Sequence, residues 1–174
     1  MKTLRALLLG TAIFAVFNLA AAEEAGNSYQ KQVFRLEVDY YRSLKDGIDD
    51  GKYNWVHPDI NVEHFPVKRL GKEKIDVMLI YFGDIVETDK IFREFEKMNL
   101  RPAEIRELIV LAEKYPDLQR EFTIIAFGSA WRQSANKNCY PALYGDRFSR
   151  ELYLVCLGDD YWWSGAYWFA GVPR

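Results

Sequence analysis

Apolar residues recur at helical spacing through Ile91, Phe92, Phe95 and Met98, and again through Ile105, Leu108, Ile109, Ala112 and Tyr115. The spacing predicts two amphipathic helices in tandem. Thr88 offers the first a capping hydroxyl and Asp89 a favourable first-turn charge. Pro102 disfavours a helical Arg101 but suits the first turn of a new helix, so the chain is expected to bend at Asn99, Leu100 and Arg101 and restart. In the second helix Glu104, Arg106, Glu107, Glu113 and Lys114 fall mostly on the polar side, and Pro116 ends it. The shared apolar partner of both helices is the run from Phe122 to Phe127, whose β-branched residues favour a well-buried strand.

Elsewhere the period is two. Val33 and Arg35 alternate with Phe34, Leu36, Val38 and Tyr40, which reads as a strand with one buried face. Ser43 and Asp46 have the spacing of a helix start, and Gly51 stops that helix after about two turns. Tyr53, Trp55 and the stretch from Pro58 to Pro66 read as an ordered loop over the core. From Ile75 to Phe82 a strand is apolar on both faces except at Asp76, as in the interior of a sheet. Cys139 to Tyr144 and Glu151 to Leu157 form an antiparallel hairpin with a turn at Gly145-Asp146, and Tyr167 to Val172 closes the chain as a strand. With residues 145–150 as the connection, Cys139 faces Cys156, Pro141 faces Leu154 and Leu143 faces Leu152; a tighter turn at Gly145-Asp146 would set Cys139 opposite Leu152 on the same face, and only the longer connection, the expected one, allows a disulfide. Tyr140, Ala142, Tyr144, Tyr153, Val155 and Leu157 then share the other face. The expected class is α+β, a mixed or antiparallel sheet with the helix pair on one face.

Residues 1–22 change the setting. Lys2 and Arg5 precede an apolar stretch from Ala6 to Leu19 and the small-residue triplet Ala20, Ala21 and Ala22, the pattern of a secretory signal cleaved near Ala22. An uncleaved N-terminal anchor is the alternative reading, although the apolar run is short of the roughly 20 residues of a span. Either way the domain lies outside the cytoplasm, secreted or associated with the cell envelope, and no stable membrane span remains after cleavage. Residues 23–30 read as a flexible lead-in and 31–174 as one domain. The formal charge of −2 becomes more negative once Lys2 and Arg5 are removed, which argues against nucleic acid as a partner.

Candidate chemistry is sparse. Cys139 and Cys156 sit on neighbouring strands of an exported chain, so a disulfide stands beside the reading of two buried apolar residues. His57, Asp59, Glu63 and His64 lack the spacing of a helical zinc motif, and Pro58 excludes helix there, so they read as a surface loop. Ser129 has a glycine before it but none two residues after it, unlike a nucleophile elbow. Asp159 and Asp160 allow an acid/base or cation role as well as a solvated turn. Consecutive side chains of an extended segment alternate, so Trp162 and Trp163 cannot share one core and at least one is a surface candidate. With aromatic residues at 16%, the candidate binding face is Trp131, Arg132, Asp159, Asp160, Trp162 and Trp163, with a glycan or a protein as ligand. No cofactor and no catalytic residue is assigned. A hydrolase of envelope polymers using Asp159 or Asp160, and a structural envelope component, are the competing functions.

The run Leu100-Arg-Pro-Ala103, the stretch from Lys114 to Phe122 reading KYPDLQREF, and Ala126 to Trp131 reading AFGSAW follow Gly51 to Trp55 and Phe65 to Val67. Together they resemble an uncharacterised family of small proteins from reduced-genome bacteria, which implies no activity. More distantly, the order of strand, two helices, strand, hairpins and aromatic C-terminal strand is similar to C-type-lectin-like domains. That resemblance implies paired first and last strands and ligand-binding late loops. The calcium-binding triplets and two-disulfide pattern of the lectins are missing, so neither calcium nor sugar-binding roles are carried over.

Overall fold

The structure is a computed structural model that describes residues 29–158 and 161–174. The signal-like segment therefore lies outside the described residues, as does the lead-in apart from Tyr29 and Gln30. Strand β1 (Gln30–Asp39) opens the domain and starts inside the expected lead-in. Helix α1 (Leu44–Gly51) follows, with the Ser43 side chain accepting from the Asp46 amide at 3.0 Å. It stops on Lys52, at φ 50°, rather than on Gly51, which is its last helical residue.

The chain continues through β2 (Trp55–Val56), β3 (Lys72–Tyr81) and β4 (Val86–Glu87) to helix α2 (Thr88–Lys97). Next come β5 (Leu100–Pro102), α3 (Ile105–Lys114), α4 (Leu118–Glu121) and β6 (Thr123–Ile125). The last elements are β7 (Trp131–Ser134), β8 (Lys137–Gly145), β9 (Arg150–Leu157), β10 (Trp162–Trp163) and β11 (Tyr167–Pro173). Among the described residues one mixed sheet runs β1-β3-β11-β6-β8-β9-β2, with β5 on the end of β11 and β7 on β8; β4 and β10 form a separate ribbon. The class is α+β, and no described helix is long and apolar enough to cross a membrane.

The hairpin has the register expected for the longer connection. Cys139 faces Cys156, Pro141 faces Leu154 and Leu143 faces Leu152, and the two cysteines are joined in a disulfide. At the far end, cross-strand charges hold β1 against β3: Arg35 faces Asp76, Glu37 faces Lys74 and Asp39 faces Lys72. Because first strand β1 and last strand β11 each pair with β3, they do not pair with one another, unlike the expectation from lectin-like domains.

The two long helices lie on opposite faces of the sheet, not on one. Leu108 and Ile109 of α3 share a cluster with Leu79, Ile124 and Ala170, whereas Ile91 and Phe95 of α2 share another with Ile80, Ile125 and Phe169. Neighbouring residues of a strand point to opposite faces, so these clusters are two layers. The cause is β5. Pro102 lies in this strand rather than in a helix, and the pairing of Leu100–Pro102 with β11 carries the chain from one face to the other. Asn99, at φ 54°, supplies the left-handed residue before the crossing. The chain passes so close to the end of β6 that a Cβ at Gly128 would come within 2.6 Å of the Pro102 and Ala103 carbonyl oxygens.

Arg106 and Glu107, expected on the polar side of α3, are both buried. The Arg106 guanidinium donates to the Arg42 carbonyl, and its burial lowers its pKa. Glu107 has no exposed surface, yet its lone pairs are well matched: Oε1 accepts from the Tyr40 hydroxyl and from Arg101 Nη2, each at 2.5 Å. Oε2 accepts from Arg101 Nη1 at 3.1 Å and from the Glu104 amide at 2.7 Å, which completes a capping box at the start of α3. Ser129 finishes the cap by accepting from the Ile105 amide at 2.9 Å. Burial, then the adjacent carboxylate, raises the Tyr40 phenol pKa, so the hydroxyl remains a donor.

Glu107→Ala leaves the Arg101 charge and the Tyr40 hydroxyl without their acceptor and should lose about 3–5 kcal/mol in urea unfolding. Leu108→Ala, which empties space between α3 and the sheet, should lose about 2–5 kcal/mol. A loss below about 0.5 kcal/mol for either would contradict this packing. The disulfide is checked separately by mass: the native chain should be lighter than the reduced one by one hydrogen from each thiol.

Candidate ligand-binding site

The residues singled out in the sequence separate onto different parts of the molecule. Trp163 is 1% exposed and Trp162 57%, because the short pairing of β10 with β4 turns one ring inward and leaves the other outside. Trp163 is therefore a core residue and not a ligand contact. Its ring packs edge-on to Phe127, Tyr161, Tyr167 and Phe169 at centroid distances of 5.1 to 5.7 Å. Its Nε1 donates to Thr88 Oγ1 at 2.9 Å. The Thr88 hydroxyl thus anchors the aromatic segment instead of capping α2, whose N-cap residue is Glu87.

Trp131 belongs to the opposite layer, half-buried and stacked on His64 with ring centroids 3.9 Å apart. Arg132 bonds within its own turn, donating to the Ser134 and Ala135 carbonyls. Asp159 and Asp160 lie outside the described residues. His57 and His64 also point to different partners: His57 lies against Trp55 and Tyr153, at 5.6 and 5.9 Å, and His64 Nδ1 is 2.9 Å from the Asp59 carbonyl oxygen.

A different set of rings is brought together. The α2 layer covers only part of its sheet face. Next to it, Thr123, Ala142, Tyr144, Glu151, Tyr153, Val155 and Tyr167 line an open groove of about 270 Å³. Each has a definite origin in register. Ala142 faces Tyr153 and Tyr144 faces Glu151 across the hairpin, and Tyr167 lies beside Thr123 in the parallel pairing of β11 with β6. Parallel pairing of β2 with β9 sets Trp55 beside Glu151, with its ring 5.6 Å from that of Tyr153.

The rings at one end are accessible: Tyr144 is 47% exposed, Tyr153 42% and Trp55 41%. Tyr167 joins the groove to Trp163 and, through it, to half-exposed Tyr161. Burial raises the Tyr167 phenol, so its hydroxyl is neutral and can donate. The result is a band of flat apolar surfaces edged by phenol hydroxyls, the Thr123 hydroxyl and the Glu151 carboxylate. Its volume is slightly below the roughly 300–1,000 Å³ of pockets that enclose a small molecule. Such a surface suits part of a longer ligand lying across it.

Hairpin parity had already placed Tyr144 and Tyr153 on one face. The contributions of Trp55, Thr123 and Tyr167 have no local signal, since β2 is two residues long and β11 meets β6 only after about 40 residues of intervening chain. A disulfide-stapled α+β domain with an open aromatic sheet face is the class of molecule that these observations define. No protein-family model matches the chain, and no curated protein or solved structure matches it.

Trp163→Ala should destabilise the fold by about 3–5 kcal/mol, since it empties the second core layer. Trp162→Ala should change stability by no more than about 0.5 kcal/mol. Equal losses in thermal or urea unfolding would show that the alternation across β10 is wrong.

Proposed function

We propose that the chain is an exported, non-enzymatic binding domain and that its ligand is a glycan laid along the sheet face formed by Trp55, Tyr144, Tyr153 and Tyr167. The observation that carries the reading is the accessible row of rings interleaved with hydroxyls. An aromatic face packs on the C–H face of a pyranose while hydroxyls and a carboxylate exchange hydrogen bonds with the sugar's own, and rigid rings lose little entropy on contact. The bond between Cys139 and Cys156 supports an oxidising compartment, where disulfides persist. Relative to the expected late-loop face, the ligand surface moves from Trp131 and Arg132 to the sheet.

Calorimetric titration of the purified chain with soluble envelope-glycan fragments tests the proposal. Binding should weaken by roughly 10- to 100-fold in Tyr153→Ala and in Trp55→Ala, the range expected for central aromatic contacts. Arg132→Ala and Asp159→Asn should bind as the parent does. Failure to bind any glycan fraction, or unchanged affinity in Tyr153→Ala, would overturn it. Release of reducing ends that stops in Asp159→Asn would replace the binding role by hydrolysis.

A further inference from the structure

Among the described residues strand β1 is an edge of the sheet, and its outer side has a self-complementary pattern. The Tyr40 amide donates to the Gly71 carbonyl, so the backbone of Tyr40 is turned toward β3. In an antiparallel strand the direction alternates, which turns Val33, Arg35 and Glu37 outward. An independent contact agrees: Lys114 Nζ reaches the Arg35 carbonyl oxygen at 2.8 Å from the open side. The side chains of Val33, Arg35 and Glu37 are exposed on the same sheet face as the aromatic groove.

We propose that this edge pairs with β1 of a second copy of the chain, antiparallel and in the register that sets Arg35 opposite Glu37 of the second copy. Arg35 already faces Asp76 and Glu37 already faces Lys74 within one chain. The pairing therefore makes two rows, each reading Asp76, Arg35, then Glu37 and Lys74 of the second copy, with charge alternating at every step. Neighbouring registers are penalised: one sets Arg35 against Arg35, and the other, although it too makes alternating rows by pairing Arg35 with Asp39 of the second copy, sets Glu37 against Glu37 at its centre, a like-charge contact that the proposed register avoids. The next one beyond the Arg35 pair sets Glu37 against Lys31 but leaves Arg35 opposite Val33, so neither row has four alternating charges. Charged edges commonly prevent strand addition, and here the charges exclude strangers while admitting one matched strand. Lys114 is the guard, since its ammonium occupies the carbonyl that a second strand would use. Side chains paired across an antiparallel junction share a face, so the joined sheet carries both aromatic grooves on one side.

Sedimentation equilibrium over a wide concentration range tests this without reference to any ligand. The parent chain should self-associate reversibly. Lys114→Ala, which frees the Arg35 carbonyl, should tighten the association, while Arg35→Glu, which sets acid against acid in both rows, should weaken it by about tenfold or more. Val33→Pro removes an outward N–H without touching a β1–β3 hydrogen bond, and it should abolish association with circular dichroism unchanged. A chain that stays monomeric up to about 1 mM, the weak limit of specific association, overturns the proposal. So does a dimer indifferent to Val33→Pro.

Discussion

A buried carboxylate organises this fold. Glu107 holds together three parts of the chain: Tyr40 just after β1, Arg101 in the crossing strand β5, and the first turn of α3. A charge without solvent is tolerated only when its partners are complete, and the bidentate guanidinium with two further donors meets that condition. The same geometry fixes where α3 begins. A helix that started one turn earlier would carry Glu107 away from its own cap, and β5 would lose the side chain that answers Arg101. The change of sheet face between α2 and α3 therefore depends on this cluster as much as on Pro102.

A second buried charge does related work at the other end of α3. Among the described residues no carboxylate is hydrogen-bonded to Arg150; it donates to the Gly51 carbonyl at 2.9 Å and to the Ala112 carbonyl at 2.8 Å. Both oxygens belong to the last turns of helices, α1 and α3, where carbonyls lack intrahelical donors and the helix dipole favours a cation. One guanidinium thereby ties two helix ends to β9. Its burial lowers its pKa without removing its charge, since arginine starts far above neutrality.

Much of this was legible locally and some of it was not, for a reason that particular residues make plain. Parity settled which hairpin residues share a face, since a slip by one residue would send Cys139 and Cys156 to opposite faces; the choice between the two registers left by parity followed from the longer connection, which alone sets the cysteines opposite one another. The exclusion of a shared core for Trp162 and Trp163 followed from the same alternation. By contrast, the polarity of Glu107 indicated solvent, because nothing within its own helix shows that Arg101 and Tyr40 converge on it. The pair of helices was expected on one face for a similar reason. Three residues of strand pairing with the C-terminal segment, Leu100–Pro102 on β11, decide that question, and this contact spans about 70 residues. Local patterns state what each element buries; they do not state on which side of a sheet it is buried.

The position of β11 explains why the binding surface has the same history. This last strand lies inside the sheet, flanked by β3 on one side and by β6 and β5 on the other. Without it the hairpin and the β1–β3 pair would share no strand pairing, and the groove would have no Tyr167. Once inserted, it carries the aromatic segment across the face that α2 leaves uncovered, with Trp163 sealed into the core and Tyr167 left at its boundary. The ring that anchors and the ring that lines the groove are neighbours on one apolar layer, 5.6 Å apart. The open face is thus the unfilled remainder of a core layer, and its aromatic character follows from the same hydrophobic pattern that closes the rest of that layer.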